Sequence, residues 1–374
     1  MYQEILKNGK RSDGSKLDEL SVAYTLGYIS GLKSLENRNK TNRESNRRNT
    51  KKKTLLEDDV PPRLLFGTMQ SSNDTNHQKT YEDVLSALKL GYRHFDLAEM
   101  YTSTKRVGEA FANVSRKDLY LTSKVKGLPY GTFEELKSRV LKMLRDAGAG
   151  TYFDLLLVHW PGPAEYAFGP TPDAFAAACD EAFEKHIERS WRNMIRLKEI
   201  GLVREIGVSN FYQKHMSILL PLCEDRGLPK PFANEIYIDA CHQRETFVRS
   251  LQKEGIRVFA YRSVAFATGY AMLKDAGLPV ASELDALVEK SESASIHQFI
   301  IAALLRRDIH VVVRSSSSAR QASNLKALDV AKTIDNETMR SFGALGARHG
   351  ETVDMYGLAD EWAGALATPS FATK

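Results

Sequence analysis

The sequence predicts an α/β chain closed into a (β/α)8 TIM barrel, preceded by an N-terminal extension. Three observations lead there. From residue 61 onward, short strand-like runs alternate with helical stretches until eight strands, each followed by helix, have been laid down. The run FDLLLVH, from Phe153 to His159, is apolar in the manner of a strand buried on both faces, as in a parallel sheet. No GxGxxG turn follows the first strand, where an open doubly wound dinucleotide fold would need it.

Taken in order, residues 1–60 stand apart. Leu17, Leu20, Ala23, Tyr24, Gly27, Tyr28 and Gly31 recur at helical spacing, which predicts an amphipathic helix from Leu17 to Leu35. NRNKTNRESNRRNTKKK follows without an apolar residue, the composition of a solvated linker. Its charge would also suit an acidic partner or nuclear targeting. The barrel then spans 61–335. Its strands are expected at Arg63–Phe66, Arg93–Asp96, Leu119–Lys124, Phe153–His159, Val203–Ser209, Phe232–Glu235, Ile256–Tyr261 and His310–Arg314. Between them, helical spacing places helices at Asn76–Leu90, Thr104–Asn113, Thr132–Ala147, Glu181–Ile200, Lys214–Arg226, Arg244–Glu254, Ser295–Arg307 and Ala319–Ala331. Gly162–Asp180 and Arg262–Ala281 are expected to be long loops, and long loops of a barrel shape its site. Residues 336–374 read as a helix, Asn336 to His349, and an Ala/Gly-rich tail.

Composition excludes several classes. With 43% hydrophobic and 26% charged residues the chain resembles ordinary globular proteins and can bury a large core. The net charge of +5 is concentrated in the N-terminal arm, which leaves the barrel near neutral and argues against a nucleic-acid surface on it. Three cysteines without CxxC spacing fit neither a disulfide framework nor a zinc site, and no metal is expected. No apolar run is long enough to span a bilayer and no signal-peptide core is visible, so a cytoplasmic location is expected.

In a barrel, reactive groups collect at the C-terminal ends of the strands. Asp96 ends the second strand, Lys124 the third and His159 the fourth, while Tyr101 lies on the loop after the second. A carbonyl that receives hydride develops negative charge on oxygen, so a proton donor must stand there. A phenol with a pKa of about 10 is a weak acid unless a cation favours its phenolate. Lys124 can supply that charge, Asp96 can hold the ammonium, and His159 can orient the carbonyl. Singly, each of these types is more often structural: an ion pair, a packed ring, a core histidine. Their joint spacing is what carries weight.

Five segments, GYRHFDLAEMY, LTSK, LLLVHWP, GLVREIGVSNF and VVRSSSSARQASN, occur in the order found in aldo-keto reductases, and the chain resembles that family over roughly residues 62 to 332. The resemblance implies that Asp96, Tyr101, Lys124 and His159 are the catalytic tetrad and that the cofactor is NADPH. It implies cofactor contacts from Gly67 and Thr68, from Ser209 and Asn210 on the nicotinamide carboxamide, and from Tyr261 stacked on its ring. Arg314, Ser315, Arg320, Ser323 and Asn324 match the segment that holds the adenosine phosphate. Two guanidinium forks before a helix N-terminus also make an anion site on physical grounds.

The pattern breaks in four places. Arg314 replaces a lysine, and Glu235 replaces a glutamine that contacts the carboxamide. Arg262-Ser263-Val264 replaces Ser-Pro-Leu, and Met69 replaces a pocket tryptophan, with Trp160 keeping the aromatic wall of the substrate site. Glu235 and Arg262 fall on neighbouring strands, so the arginine is expected to offset the carboxylate. The implied activity is NADPH-dependent reduction of a small carbonyl compound, an aldehyde or ketone, to an alcohol. A regulatory subunit of this type with little turnover, and a degenerate barrel that no longer binds nucleotide, stay open at this point.

Overall fold

A computed structural model describes residues 63–349 apart from position 72 and residues 163–171, 265–273, 275–276 and 278. The expectations for the helix from Leu17 to Leu35, the basic run, the tail after His349 and most of the loop after residue 262 lie outside the described residues. Among the described residues, no helix is long and apolar enough to cross a membrane.

The elements are β1 (Leu64–Gly67), α1 (Gln78–Leu90), β2 (His94–Asp96), α2 (Thr104–Ala110), β3 (Tyr120–Val125), α3 (Phe133–Asp146), β4 (Phe153–Val158), α4 (Pro172–Glu199), β5 (Val203–Ser209), α5 (Gln213–Asp225), β6 (Ala233–Tyr237), α6 (Glu245–Lys253), β7 (Arg257–Tyr261), α7 (Pro279–Lys290), α8 (Ile296–Arg306), β8 (Ile309–Val313), α9 (Ser318–Thr333) and α10 (Asn336–His349). Every strand pairs in parallel with its sequence neighbours, and β1 pairs with β8 through Leu64 opposite Val311, closing the barrel. This is the (β/α)8 barrel that the alternation predicts.

Strand alternation sorts the side chains into two cores. Leu65, Tyr120, Leu155, Leu157, Ala233 and Phe259 fill the barrel interior. Leu156 and Val158 of β4 face outward and pack with the helices, alongside Phe95, Leu121, Ile206, Val208, Ile236 and Val258 from other strands. Both faces of β4 are therefore dry, which is why its sequence is apolar without alternating. Its one charge, Asp154, is buried, and it is held by Arg116 at 2.7 Å, Arg204 at 3.0 Å and the backbone N–H of Leu121 at 2.8 Å. Such pairing is what a buried carboxylate requires.

Two loops are more ordered than the sequence suggests. Helix α4 begins at Pro172, within the stretch read as loop up to Asp180. Proline suits a first helical turn, and the alanine-rich residues after it favour helix. Helix α7 likewise starts at Pro279, inside the second expected loop, and buries Val280, Ala281, Leu284 and Leu287.

Candidate active site

Inward-facing positions in a strand recur every second residue. Ala233 lines the barrel interior, so Glu235 points the same way two residues later. The same parity carries Tyr120 to Lys124, His94 to Asp96 and Phe259 to Tyr261. Four strands thus deliver polar side chains to one layer at the C-terminal mouth. Lys124 is 1% exposed and forms an ion pair with Asp96. Its ammonium also stands 3.2 Å from Glu235 Oε1 and 3.4 Å from the Leu97 carbonyl. Tyr101 is half-buried above this group, with Lys124 Nζ 5.5 Å from its ring centroid. The His159 ring lies 6.1 Å from that of Tyr101 at 80°, and Trp160 stacks on His159 at 5.5 Å. The four residues expected to form the tetrad are therefore brought together.

Burial sets their protonation. It would depress the Lys124 ammonium, but Asp96, Glu235 and Tyr101 more than reverse this and raise it above the ordinary lysine value. Burial raises the Tyr101 phenol, against the opposing charge of Lys124. Burial outweighs the Lys124 charge, so the phenol is protonated at neutral pH, the state in which it can donate. His159 is held well below the usual histidine value by burial and then by Lys124, so its ring is neutral. Burial also raises Asp96, against Lys124, and burial together with Asp96 pushes Glu235 up to about 8.

Loop and strand ends brace the layer. Thr68 donates to the Asp96 carbonyl through Oγ1 at 2.8 Å and through its backbone N–H at 3.1 Å. Ser103, which sequence reasoning did not single out, donates to the Thr68 carbonyl at 2.8 Å. Asn210 takes a left-handed backbone with φ 61°, a region asparagine tolerates. Its Nδ2 donates to the His159 carbonyl at 3.0 Å, and Tyr261 donates to its Oδ1 at 2.7 Å. Ser209 Oγ donates to the Glu235 carbonyl at 3.0 Å. Gly67, Thr68, Ser209, Asn210, Glu235 and Tyr261 thus rim one mouth with the tetrad. Met69, after β1, is exposed, and Trp160, after β4, is buried. Glu235 Oε2, Trp160 Nε1 and His159 Nδ1 are buried without a hydrogen-bond partner. Unpartnered buried polar atoms at a mouth are what a polar ligand would satisfy.

Glu235 forms an ion pair with Lys124, which parity turns into the same layer, and Arg262, expected to offset that carboxylate, lies past the end of β7 with φ 56°.

The second cluster follows β8. Ser317 caps α9, accepting from the Arg320 N–H, and Ser315 Oγ accepts from Arg320 Nε at 3.1 Å. Arg320 is exposed, whereas Arg314 is half-buried and turned toward α1, 3.3 Å from Thr80 Oγ1 and 3.9 Å from Asp83. Asn324 is buried, and Ser323 Oγ accepts from Gln298 Nε2 at 3.4 Å.

Comparison with known proteins points to one family. The sequence model of the aldo/keto reductase family matches residues 63–347. An aldose reductase of Encephalitozoon cuniculi is 28% identical over 276 residues, covering 71% of this chain and 84% of its own. An NADP-dependent D-sorbitol-6-phosphate dehydrogenase of Malus domestica is 29% identical over 258 residues, covering 66% and 80%. The crystal structure of an aldo-keto reductase from a Medee basin deep-sea metagenome library superposes with a TM-score of 0.60 at 26% identity, covering 79% of this chain and 94% of that one.

Proposed function

The chain belongs to the aldo/keto reductase family, and from that premise we propose that it reduces an aldehyde or ketone to an alcohol with NADPH, Tyr101 giving the proton. The observation that carries this reading is the buried Asp96–Lys124 pair beneath a protonated, half-buried Tyr101 with neutral His159 beside it.

The residues fit a nicotinamide dinucleotide. Glu235 Oε2 is a buried acceptor without a donor, beside Ser209 and Asn210, and a carboxamide offers N–H donors. Tyr261 presents a half-exposed ring at the same mouth. Arg320 and the N-terminal turn of α9 offer an anion site for the phosphate of the distal ribose. The Malus domestica relative is named as NADP-dependent. When bound, the cofactor would supply the hydride to the carbonyl carbon.

The chain's own residues do the rest. His159, neutral, can donate a hydrogen bond to the carbonyl oxygen without adding a charge. Tyr101 transfers its phenolic proton to that oxygen as negative charge grows there. Lys124 stabilises the phenolate left behind, and Asp96 fixes the ammonium in place. A positioned acid of this kind contributes roughly 10²- to 10⁴-fold. Steady-state oxidation of NADPH with an aromatic aldehyde and purified protein tests the proposal. Turnover on the order of 1 s⁻¹ or more is expected. NADPH binding without any turnover across a panel of aldehydes and ketones would overturn it.

A further inference from the structure

Lys124 lies between two buried carboxyl groups, not one. It pairs with Asp96 and stands 3.2 Å from Glu235, and all three side chains are 4% exposed or less. Both carboxyl groups thus converge on one ammonium. Two carboxylates on one ammonium leave a net negative charge out of water, and carboxyls sharing a site do not both ionise readily. Glu235 Oε2, buried and without a donor, would leave an ionised Glu235 half unsolvated. The groups that face it are Asp96 from β2, Tyr101 from the following loop, Lys124 from β3 and Tyr261 from β7, with Arg262 next beyond Tyr261. Lys124 is the cation in contact.

We propose that Glu235 is a proton-carrying positioning residue of this site: as an acid it shares one proton with Asp96 over Lys124, and as a carboxylate it favours the cationic oxidised nicotinamide over the reduced one. The second half rests on the nicotinamide reading above, and the first half does not. Burial and Asp96 push Glu235 up to about 8. The acid form therefore prevails at neutral pH, and the proton leaves to solvent on the alkaline side. The extra negative charge then lies beside Ser209 and Asn210, where the nicotinamide is expected. By reciprocity, oxidised cofactor must in turn ease the loss of that proton.

Glu235→Gln is the neutral mimic, since an amide fills the same space and can donate to Asp96. In the cofactor-free protein, thermal midpoints of wild type and variant are compared from pH 5 to 9. A carboxyl whose pKa rises on folding holds a proton that the unfolded chain has lost, so wild type loses stability as pH climbs. The gap in favour of the variant should widen from about pH 5 to about pH 8 and then level off. A gap independent of pH overturns the shared proton. If the variant does not fold, infrared spectra of the protein in an Asp83→Asn background decide the matter, because Asp83 is the described carboxyl outside the Asp96–Glu235 pair that burial raises. A carboxylic-acid band that persists at pH 7 and titrates near 8 is expected, and its absence overturns the proposal. Fluorescence titrations with NADP⁺ and NADPH at pH 6 and 9 test the second half. Relative affinity should move about tenfold toward NADP⁺ in wild type and stay flat in Glu235→Gln. A pH-independent ratio in wild type overturns this half. Binding of neither cofactor sinks the nicotinamide reading with it, while the thermal comparison still decides the shared proton.

Discussion

Removing one oxygen atom, as Tyr101→Phe does, takes away the proton donor and leaves the ring that packs 6.1 Å from His159. Carbonyl reduction should fall at least about a hundredfold with NADPH affinity nearly intact; near-wild-type turnover would remove Tyr101 from the role of acid. At the distal end, the two arginines are not equivalent. Arg314 is occupied by Thr80 and Asp83, whereas Arg320 is exposed beside Ser315. Arg320→Ala should therefore weaken NADPH binding about tenfold or more, the loss of one charge-assisted contact, while NADH binding changes little. A larger effect from Arg314→Ala, or equal losses for both cofactors, would contradict this. Asp96, Tyr101, Lys124 and His159 were legible in the sequence because each closes or follows a strand-like run, and a barrel gathers strand ends. The partner of Glu235 was not. Finding Lys124 there requires the parity of β3 and β6 across the interior, and the run ANEIY does not advertise its own register.

Strand β5 reaches its neighbours only because residue 207 has no side chain. A Cβ there would stand 2.5 Å from the Ala233 carbonyl and 2.7 Å from Leu157 Cδ2. The first contact is with backbone, so β6 would have to shift. Gly207→Ala should destabilise the protein by about 1–3 kcal/mol, the range for overpacking a filled core. Ser209 and Asn210 lie two and three residues on, so the same change should weaken cofactor binding. Chemical denaturation and fluorescence titration check the two effects, and stability equal to wild type would mean that β5 can move without loss. At this scale the sequence was legible where burial is one-sided or periodic, as in α3, whose Thr132–Glu135 capping box stands at the expected start. Strand boundaries moved by a residue or two because hydrogen bonds, not polarity, end a strand. The starts of α4 and α7 were missed for another reason. Both open on a proline, which serves a first helical turn as well as a loop, and only packing tells the two apart.

On the scale of the whole molecule, closure decides which residues the fold needs. The seam is made by Leu64, Leu65 and Phe66 of β1 against Val311, Val312 and Val313 of β8. Arg63 continues it below, bonding the Leu305 carbonyl and standing 3.2 Å from Asp308. Among the described residues, both cores, the inner one around Leu155 and the outer one beneath the helices, are built from residues between Leu64 and Leu345. The proposed tetrad, the residues proposed to face the carboxamide and the arginine segment all fall between Gly67 and Asn324, and the family match begins at residue 63. A chain starting at residue 61 should therefore close the same barrel. Its thermal midpoint is expected within about 2 °C of the full chain, the scale of a change that touches no buried contact. NADPH oxidation with an aldehyde should be unchanged. A fall of several degrees with activity kept would mean that residues 1–60 stabilise the barrel from outside. Loss of activity at an unchanged midpoint would mean that they complete the site, and the assignment of every reactive group to residues 67–324 would then be wrong.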